Sequence, residues 1–215
     1  MAMTKNGFEY YVFQNEIIIS GVTDKNLEVL DVPSHINRFP VVSIEREVFR
    51  GLQNLIAAYL PDTLQVISNH AFADCPNLKV VQCNADGLMI HGGAFKNCEK
   101  LTEFNSYEKI YLQASVFENC KNLRHIECEI GAVANNSFAG CKELEMLLFA
   151  EDLCRFHANA FVGCDNLFKL MFKGSYIVFD GDLANLQDVT FVCGKASNIA
   201  DLAVLGYRVN IRDYL

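Results

Sequence analysis

The chain has 215 residues, 51% of them hydrophobic, and its 18 basic side chains against 26 acidic ones give a net charge of -8. A field of that sign opposes phosphate backbones and anionic lipid surfaces, so nucleic-acid binding is not expected. No stretch approaches the roughly 18 uninterrupted apolar residues of a membrane helix.

The first residues, Met1-Ala-Met-Thr-Lys-Asn-Gly7, carry no apolar leader core or small-residue cleavage site. The expectation is an intracellular protein or one whose leader has been removed. Phe8 to Phe13 and Glu16 to Val22 are two apolar, Tyr-, Val- and Ile-rich segments separated by Gln14-Asn15, which reads as a β-hairpin. Such a hairpin would cap an array that otherwise exposes an apolar layer and a strand edge. Leu27 to Val32, followed by Pro33, reads as the first strand of that array, and Phe39 to Ile44 leads into its first full copy.

From there the chain rewrites one phrase. Phe49-Arg-Gly-Leu52-Gln-Asn-Leu55, Phe72-Ala-Asp-Cys75-Pro-Asn-Leu78, Phe95-Lys-Asn-Cys98-Glu-Lys-Leu101, Phe117-Glu-Asn-Cys120-Lys-Asn-Leu123, Phe138-Ala-Gly-Cys141-Lys-Glu-Leu144 and Phe161-Val-Gly-Cys164-Asp-Asn-Leu167 share a template of Phe, a turn former, usually Cys, and Leu. The repeat Leu at 55, 78, 101, 123, 144, 167 and 186 are 23, 23, 22, 21, 23 and 19 residues apart, the short end of solenoid periods. Counting each Leu as the first, the first, fourth and sixth positions are apolar, and the period of two between the fourth and sixth predicts a short strand with one buried face. A second apolar column, Ile44, Ile67, Ile90, Leu112, Val133 and Phe156, lies five residues before each Phe. One coil is therefore read as strand, turn, a second short extended piece, and a tight helical turn carrying Phe and Cys. At the end Ser197 to Leu205 reads as a short helix and Tyr207 to Ile211 as a last strand.

The chain contains nine Cys and no CxxC pair, and five of the Cys share one repeat position. That placement favours small buried thiols over a disulfide framework or a metal site, the more so because Leu52 and Leu183 stand at the same position and Leu can pack but cannot ligate. His91 and His157 share a repeat position but lie three coils, about 14 Å, apart by strand spacing. No nucleophile elbow, phosphate-binding loop or zinc-protease motif is present.

This pattern resembles the BspA-like leucine-rich repeats, over about Phe39 to Ile211, with Leu60 to Leu78 as the fullest copy. The resemblance implies an α/β repeat protein: a right-handed solenoid of short strands and helical turns with a sheet on its concave side, a β-hairpin N-cap, and a short helix plus strand as C-cap. It implies a single domain over 1–215, with 1–43 as cap and first strand, 44–194 as repeats and 195–215 as C-terminal cap. It implies adhesion or protein binding at a cell surface or outside the cell, without catalysis and without a cofactor. The chain departs from the family where Pro-Asp after the strand survives only at Pro61-Asp62, so later coils are expected to turn differently.

The candidate binding residues are the outward strand positions Tyr59, Gln82, Glu103, Asn105, His125, Glu127, Met146, Leu148, Lys169 and Met171, with Ala57, Val80, Asp188 and Thr190 beside them. They change chemistry from coil to coil while the inward positions do not. The middle is acidic and polar; Met146, Leu148 and Met171 form an apolar stripe beside Lys169. That stripe reads either as a protein-binding patch or as a surface covered by a loop or a dimer partner. The expected partner is another protein or a glycan, and the alternative is a structural, self-assembling repeat protein.

Overall fold

The computed structural model describes residues 3–149, 153–173, 176–181, 183–193, 202 and 206–211; at 107, 125, 127, 128, 153, 154, 156, 158, 210 and 211 it describes the backbone alone. The chain begins with strands β1 (Met3–Lys5), β2 (Phe8–Phe13) and β3 (Glu16–Val22), continues through β4 (Val29–Asp31), β5 (His35–Ile36) and β6 (Phe39–Ile44), and then repeats. β2 and β3 form the expected antiparallel hairpin, with Gln14 and Asn15 at φ of 50° and 66°. Two consecutive left-handed residues give the turn whose twist matches that of the strands. β1 adds to β2 through a turn at Asn6-Gly7.

The coils carry β7 (Ala57–Leu60), β8 (Val66–Ile67), β9 (Val80–Cys83), β10 (Leu88–Ile90), β11 (Glu103–Leu112), β12 (His125–Val133), β13 (Met146–Phe149), β14 (Leu153–His157), β15 (Lys169–Phe172), β16 (Tyr176–Asp180), β17 (Thr190–Cys193) and β18 (Arg208–Ile211). They stack into two parallel ladders. The first runs β4–β7–β9–β11–β12 and then β13–β15–β17–β18, the two parts joined at Ile130↔Phe149. The second starts at the hairpin and runs β3–β6–β8–β10–β11–β12–β14–β16. β11 and β12 each run on from the first ladder into the second and so belong to both, and the join shows as a register shift between Asn105 and Lys109.

The expected helical turn at the Phe/Cys segment is a correction. In most coils it is a run of β-turns, and the described helical turns there are two single 3-10 turns, Ala158–Phe161 and Leu183–Leu186. The cause is a residue at positive φ every fourth position: Glu47 and Gly51, His70 and Asp74, Gly93 and Asn97, Ser115 and Asn119, Asn136 and Gly140. A left-handed residue at that spacing closes a turn and forbids a helix. Cys98, Cys120 and Cys141 accordingly donate their N–H to Phe95, Phe117 and Phe138 at 3.2, 3.0 and 3.0 Å. The freed N–H of Phe49, Phe72, Phe95, Phe117 and Phe138 bonds the next coil, as Phe72 does to the Ala94 carbonyl at 2.8 Å and Phe117 to that of Ser137 at 2.7 Å. Side chains at the left-handed position add a rung of their own, Asp74–Asn97–Asn119, which Arg50 extends to Asp74, with Asn97 Nδ2 to Asp74 Oδ1 at 2.8 Å and Asn119 Nδ2 to Asn97 Oδ1 at 3.0 Å. The Asn97 hydrogen bond, with help from Arg50, holds the Asp74 carboxyl below the usual carboxylate range.

The core follows the sequence columns. Phe49, Phe72, Phe95, Phe117 and Phe138 are fully buried and stack with Phe161 at ring separations of 4.9, 5.1, 5.5, 5.6 and 5.9 Å. Leu55, Leu78, Leu101, Leu123 and Leu144 are buried, and so are Ile44, Ile67, Ile90, Leu112 and Val133 of the second column. Cys75, Cys98, Cys120, Cys141 and Cys164 do more than fill space. Each Sγ donates to a Phe carbonyl of the preceding coil (Phe49, Phe72, Phe95, Phe117 and Phe138) at 3.1 Å. In the first full copy, Phe49 to Leu55, the position is held by buried Leu52. The helix expected over Ser197 to Leu205 lies outside the described residues except for Leu202, which is buried, whereas the expected last strand is β18. Among the described residues no helix is long and apolar enough to cross a membrane.

Candidate functional site

The first ladder brings the predicted residues into two columns. Ala57, Val80, Glu103 and His125 are register partners across β7, β9, β11 and β12, and Tyr59, Gln82, Asn105 and Glu127 form the column beside them. Met146 pairs with Lys169 and Leu148 with Met171 between β13 and β15. Alternation explains the outcome: the intervening Ala58, Val81, Phe104, Leu147 and Leu170 are buried, so their neighbours point outward. Tyr59 is 43% and Met146 37% exposed; Gln82 is exposed, and Glu103, Asn105, Leu148, Lys169 and Met171 are half-buried. Asn105 Nδ2 reaches Glu103 Oε2 at 3.3 Å. For His125 and Glu127 the backbone register is described and the side chains are not.

In the last coil the expected outward pair, Asp188 and Thr190, is displaced by two residues. β17 aligns Thr190 with Lys169 and Val192 with Met171, because this coil inserts two more residues between its Leu186 and its strand. Val192 is buried, so the apolar column closes there instead of continuing as an exposed face.

A third column escaped the sequence reading. The residue directly after each repeat Leu, namely Ile56, Lys79, Thr102, Arg124, Glu145 and Phe168, flanks the ladder along one edge. Backbone bonds align it, with Lys79 N–H to the Ile56 carbonyl at 2.8 Å, Thr102 to Lys79 at 2.9 Å and Arg124 to Thr102 at 3.1 Å. Thr102, Glu103, Asn122, Arg124 and Glu143 line an open cavity of about 540 Å³ on this edge. Arg124 is held there by Glu143 at 3.2 Å and Glu145 at 3.3 Å. Phe168, 47% exposed, lies under Lys169 with the ammonium 5.4 Å from the ring centre. The signal was available as another position that varies while its Leu neighbour does not.

The face thus has three zones: an apolar end at Ile56, Ala57, Tyr59 and Val80; a polar centre at Gln82, Glu103, Asn105, Arg124, Glu143 and Glu145; and a second apolar end at Met146, Leu148, Phe168 and Met171 with Lys169. Carboxylates, an amide and a guanidinium framed by apolar ends suit recognition of a mixed surface.

The fold is shared with known structures. A leucine-rich repeat protein of T. pallidum matches with a TM-score of 0.70 at 24% identity, covering 98% of each chain. A leucine-rich cell surface protein from Faecalibacterium prausnitzii matches with a TM-score of 0.51 at 14% identity, over 100% of this chain and 95% of that one. A leucine-rich repeat protein from Bacteroides ovatus matches with a TM-score of 0.51 at 16% identity, over 97% and 67%. No curated protein matches the chain. The sequence itself matches the BspA type leucine-rich repeat region in six copies, over residues 8–130, 42–168 and 115–200. With that match added to the Phe/Cys/Leu ladders described above, the chain belongs to the BspA-type leucine-rich repeat family.

Proposed function

We propose that the protein is a non-catalytic recognition module of adhesion type, which binds another protein across the outer face of its first ladder. The observation that supports this is the division of labour within each strand. Ala58, Val81, Phe104, Leu147 and Leu170 hold one buried apolar column, while the partners facing out run from Tyr59 through Glu103 to Met146 and Met171. Repeat arrays recognise partners in this way, by fixing the scaffold and varying an extended surface. The two apolar ends supply area for burial, and the Arg124–Glu143–Glu145 group supplies polar specificity between them.

Replacing Glu103, Met146 and Met171 together by Ala is expected to abolish capture of a partner identified with the unmodified protein. The circular dichroism melt should stay unchanged, since none of the three is in the buried core. Undiminished capture would remove the face from consideration. Light scattering over a concentration series tests the competing reading, because growth of large species with concentration would make self-assembly the purpose of the same surface.

A further inference from the structure

The two ladders do not end alike at the amino-terminal side. The second ladder is extended by the hairpin, since β3 pairs with β6, and β2 and β1 continue outward from it. The first ladder stops at β4, which among the described residues pairs with β7 alone. In a parallel pair, alternate residues send both backbone groups to the same side. The Glu28 carbonyl accepts from Ile56 and Ala57 and the Val32 N–H bonds the Tyr59 carbonyl at 3.0 Å, so the even-numbered positions face β7. Val29 and Asp31 therefore present their N–H and C=O to the opposite side. Val29 is 56% exposed and Asp31 is exposed, whereas Leu30 between them is buried.

We propose that this open edge of β4 is a strand-addition site, taking an extended, positively charged segment of a partner protein as one more strand of the first ladder. An unpaired edge of this kind gives affinity through backbone bonds and selects its guest through alternate side chains. Charge decides which guest. Exposed Asp24, Glu28 and Asp31 flank the edge against a single Lys25 in the same loop, on a chain of net charge -8. A segment alternating Lys or Arg with a β-branched residue sets its cations on the outward face, beside Val29 and Asp31, and its apolar side chains on the inward face beside Leu30. Natural proteins commonly protect such edges with Lys, Pro or a covering loop; here the covering hairpin serves the other ladder. The site lies at the end of the face assigned above and does not depend on that assignment.

The test uses two acetylated, amidated pentapeptides, Lys-Val-Lys-Val-Lys and Glu-Val-Glu-Val-Glu, titrated into the full chain by NMR. The basic peptide is expected to slow hydrogen exchange at the Val29 and Asp31 amides, and the acidic peptide is expected to leave them unchanged. Asp31→Asn keeps the N–H and loses one charge, so binding should weaken about threefold, the size of one exposed ion pair. Asp31→Pro removes an N–H that the β4–β7 ladder does not use, a change tolerated on edge strands. It should abolish the effect at Val29 while the Ala57, Ala58 and Tyr59 signals of β7 keep their positions. Equal response to both peptides, or shifts centred away from β4, overturns the proposal. Slowing of the same amides on concentrating the protein without peptide also overturns it, because the occupant is then a second copy of the chain.

Discussion

Raising the pH is expected to unfold this solenoid through its buried thiols. Cys83, Cys98, Cys120, Cys141 and Cys164 all lie above the ordinary thiol value of 9.0, chiefly because burial penalises the thiolate: Cys83 reaches about 11 and Cys164 about 12, and Cys98, Cys120 and Cys141 are pushed up strongly as well. A folded-state value raised in this way contributes stability that is fully present below pH 9 and is lost as the pH climbs through the folded values. At pH 10 each such thiol costs about 1.4 kcal/mol, because the unfolded chain ionises freely and the folded one does not. Five of them cost about 7 kcal/mol, a large part of the about 5 to 15 kcal/mol that holds a typical domain together. Urea unfolding followed by circular dichroism, in reductant and at steps from about pH 8 to pH 10, should show stability falling by about 7 kcal/mol in all over that range. The double variant Cys120→Ser, Cys141→Ser keeps a hydroxyl to donate to the Phe95 and Phe117 carbonyls but cannot ionise in this range. Its slope should drop to that of three thiols, about 4 kcal/mol over the same range. Tyr and Lys titrate equally in both proteins, so an unchanged slope in the variant would refute the reasoning.

Phe117→Ala opens the stacked column between Phe95 and Phe138 and removes the edge contact to Phe104, and should lower stability by about 3 to 5 kcal/mol in a denaturant melt. Asn119 sits at φ 62° and bonds Asn97, so Asn119→Val should cost about 2 to 3 kcal/mol from left-handed strain plus a lost hydrogen bond. Asn119→Gly, measured in the same melt, should recover most of the strain. Removing Arg124 by Arg124→Ala should change thermal stability by less than about 1 kcal/mol, since its ion pairs are half exposed, and yet weaken partner capture if the polar centre is used.

Much of the core was legible because burial imposes a period. The Phe, Leu and Ile columns recur at nearly constant spacing, and within each strand alternation separates Val81 from Gln82 and Leu147 from Met146. The turn was misread for a related reason. Phe, Cys and Leu at three-residue spacing imitate the apolar stripe of a helix, and only backbone angles reveal that Asp74, Asn97, Asn119 and Gly140 are left-handed. The candidate site was half legible. Outward strand positions follow from alternation, but Ile56, Arg124 and Phe168 precede the strand, where no period applies until the coils are stacked. Asp188 shows the same limit: the count from Leu186 gave its place, and the pairing of Phe191 with Leu170 moved the strand by two.

The amino-acid sequence alone determined that this is a repeat array, where its buried columns run, that its thiols belong to the core and that a hairpin begins it. These follow from local pattern, since each coil must bury the same positions against its neighbours. The tertiary structure decided that the Cys ladder hydrogen-bonds the Phe carbonyls of the preceding coil, that two ladders merge in β11 and β12, and that the hairpin covers the second ladder while β4 keeps an open edge. Those features depend on which backbone groups meet across coils about 22 residues apart, and no local period encodes them.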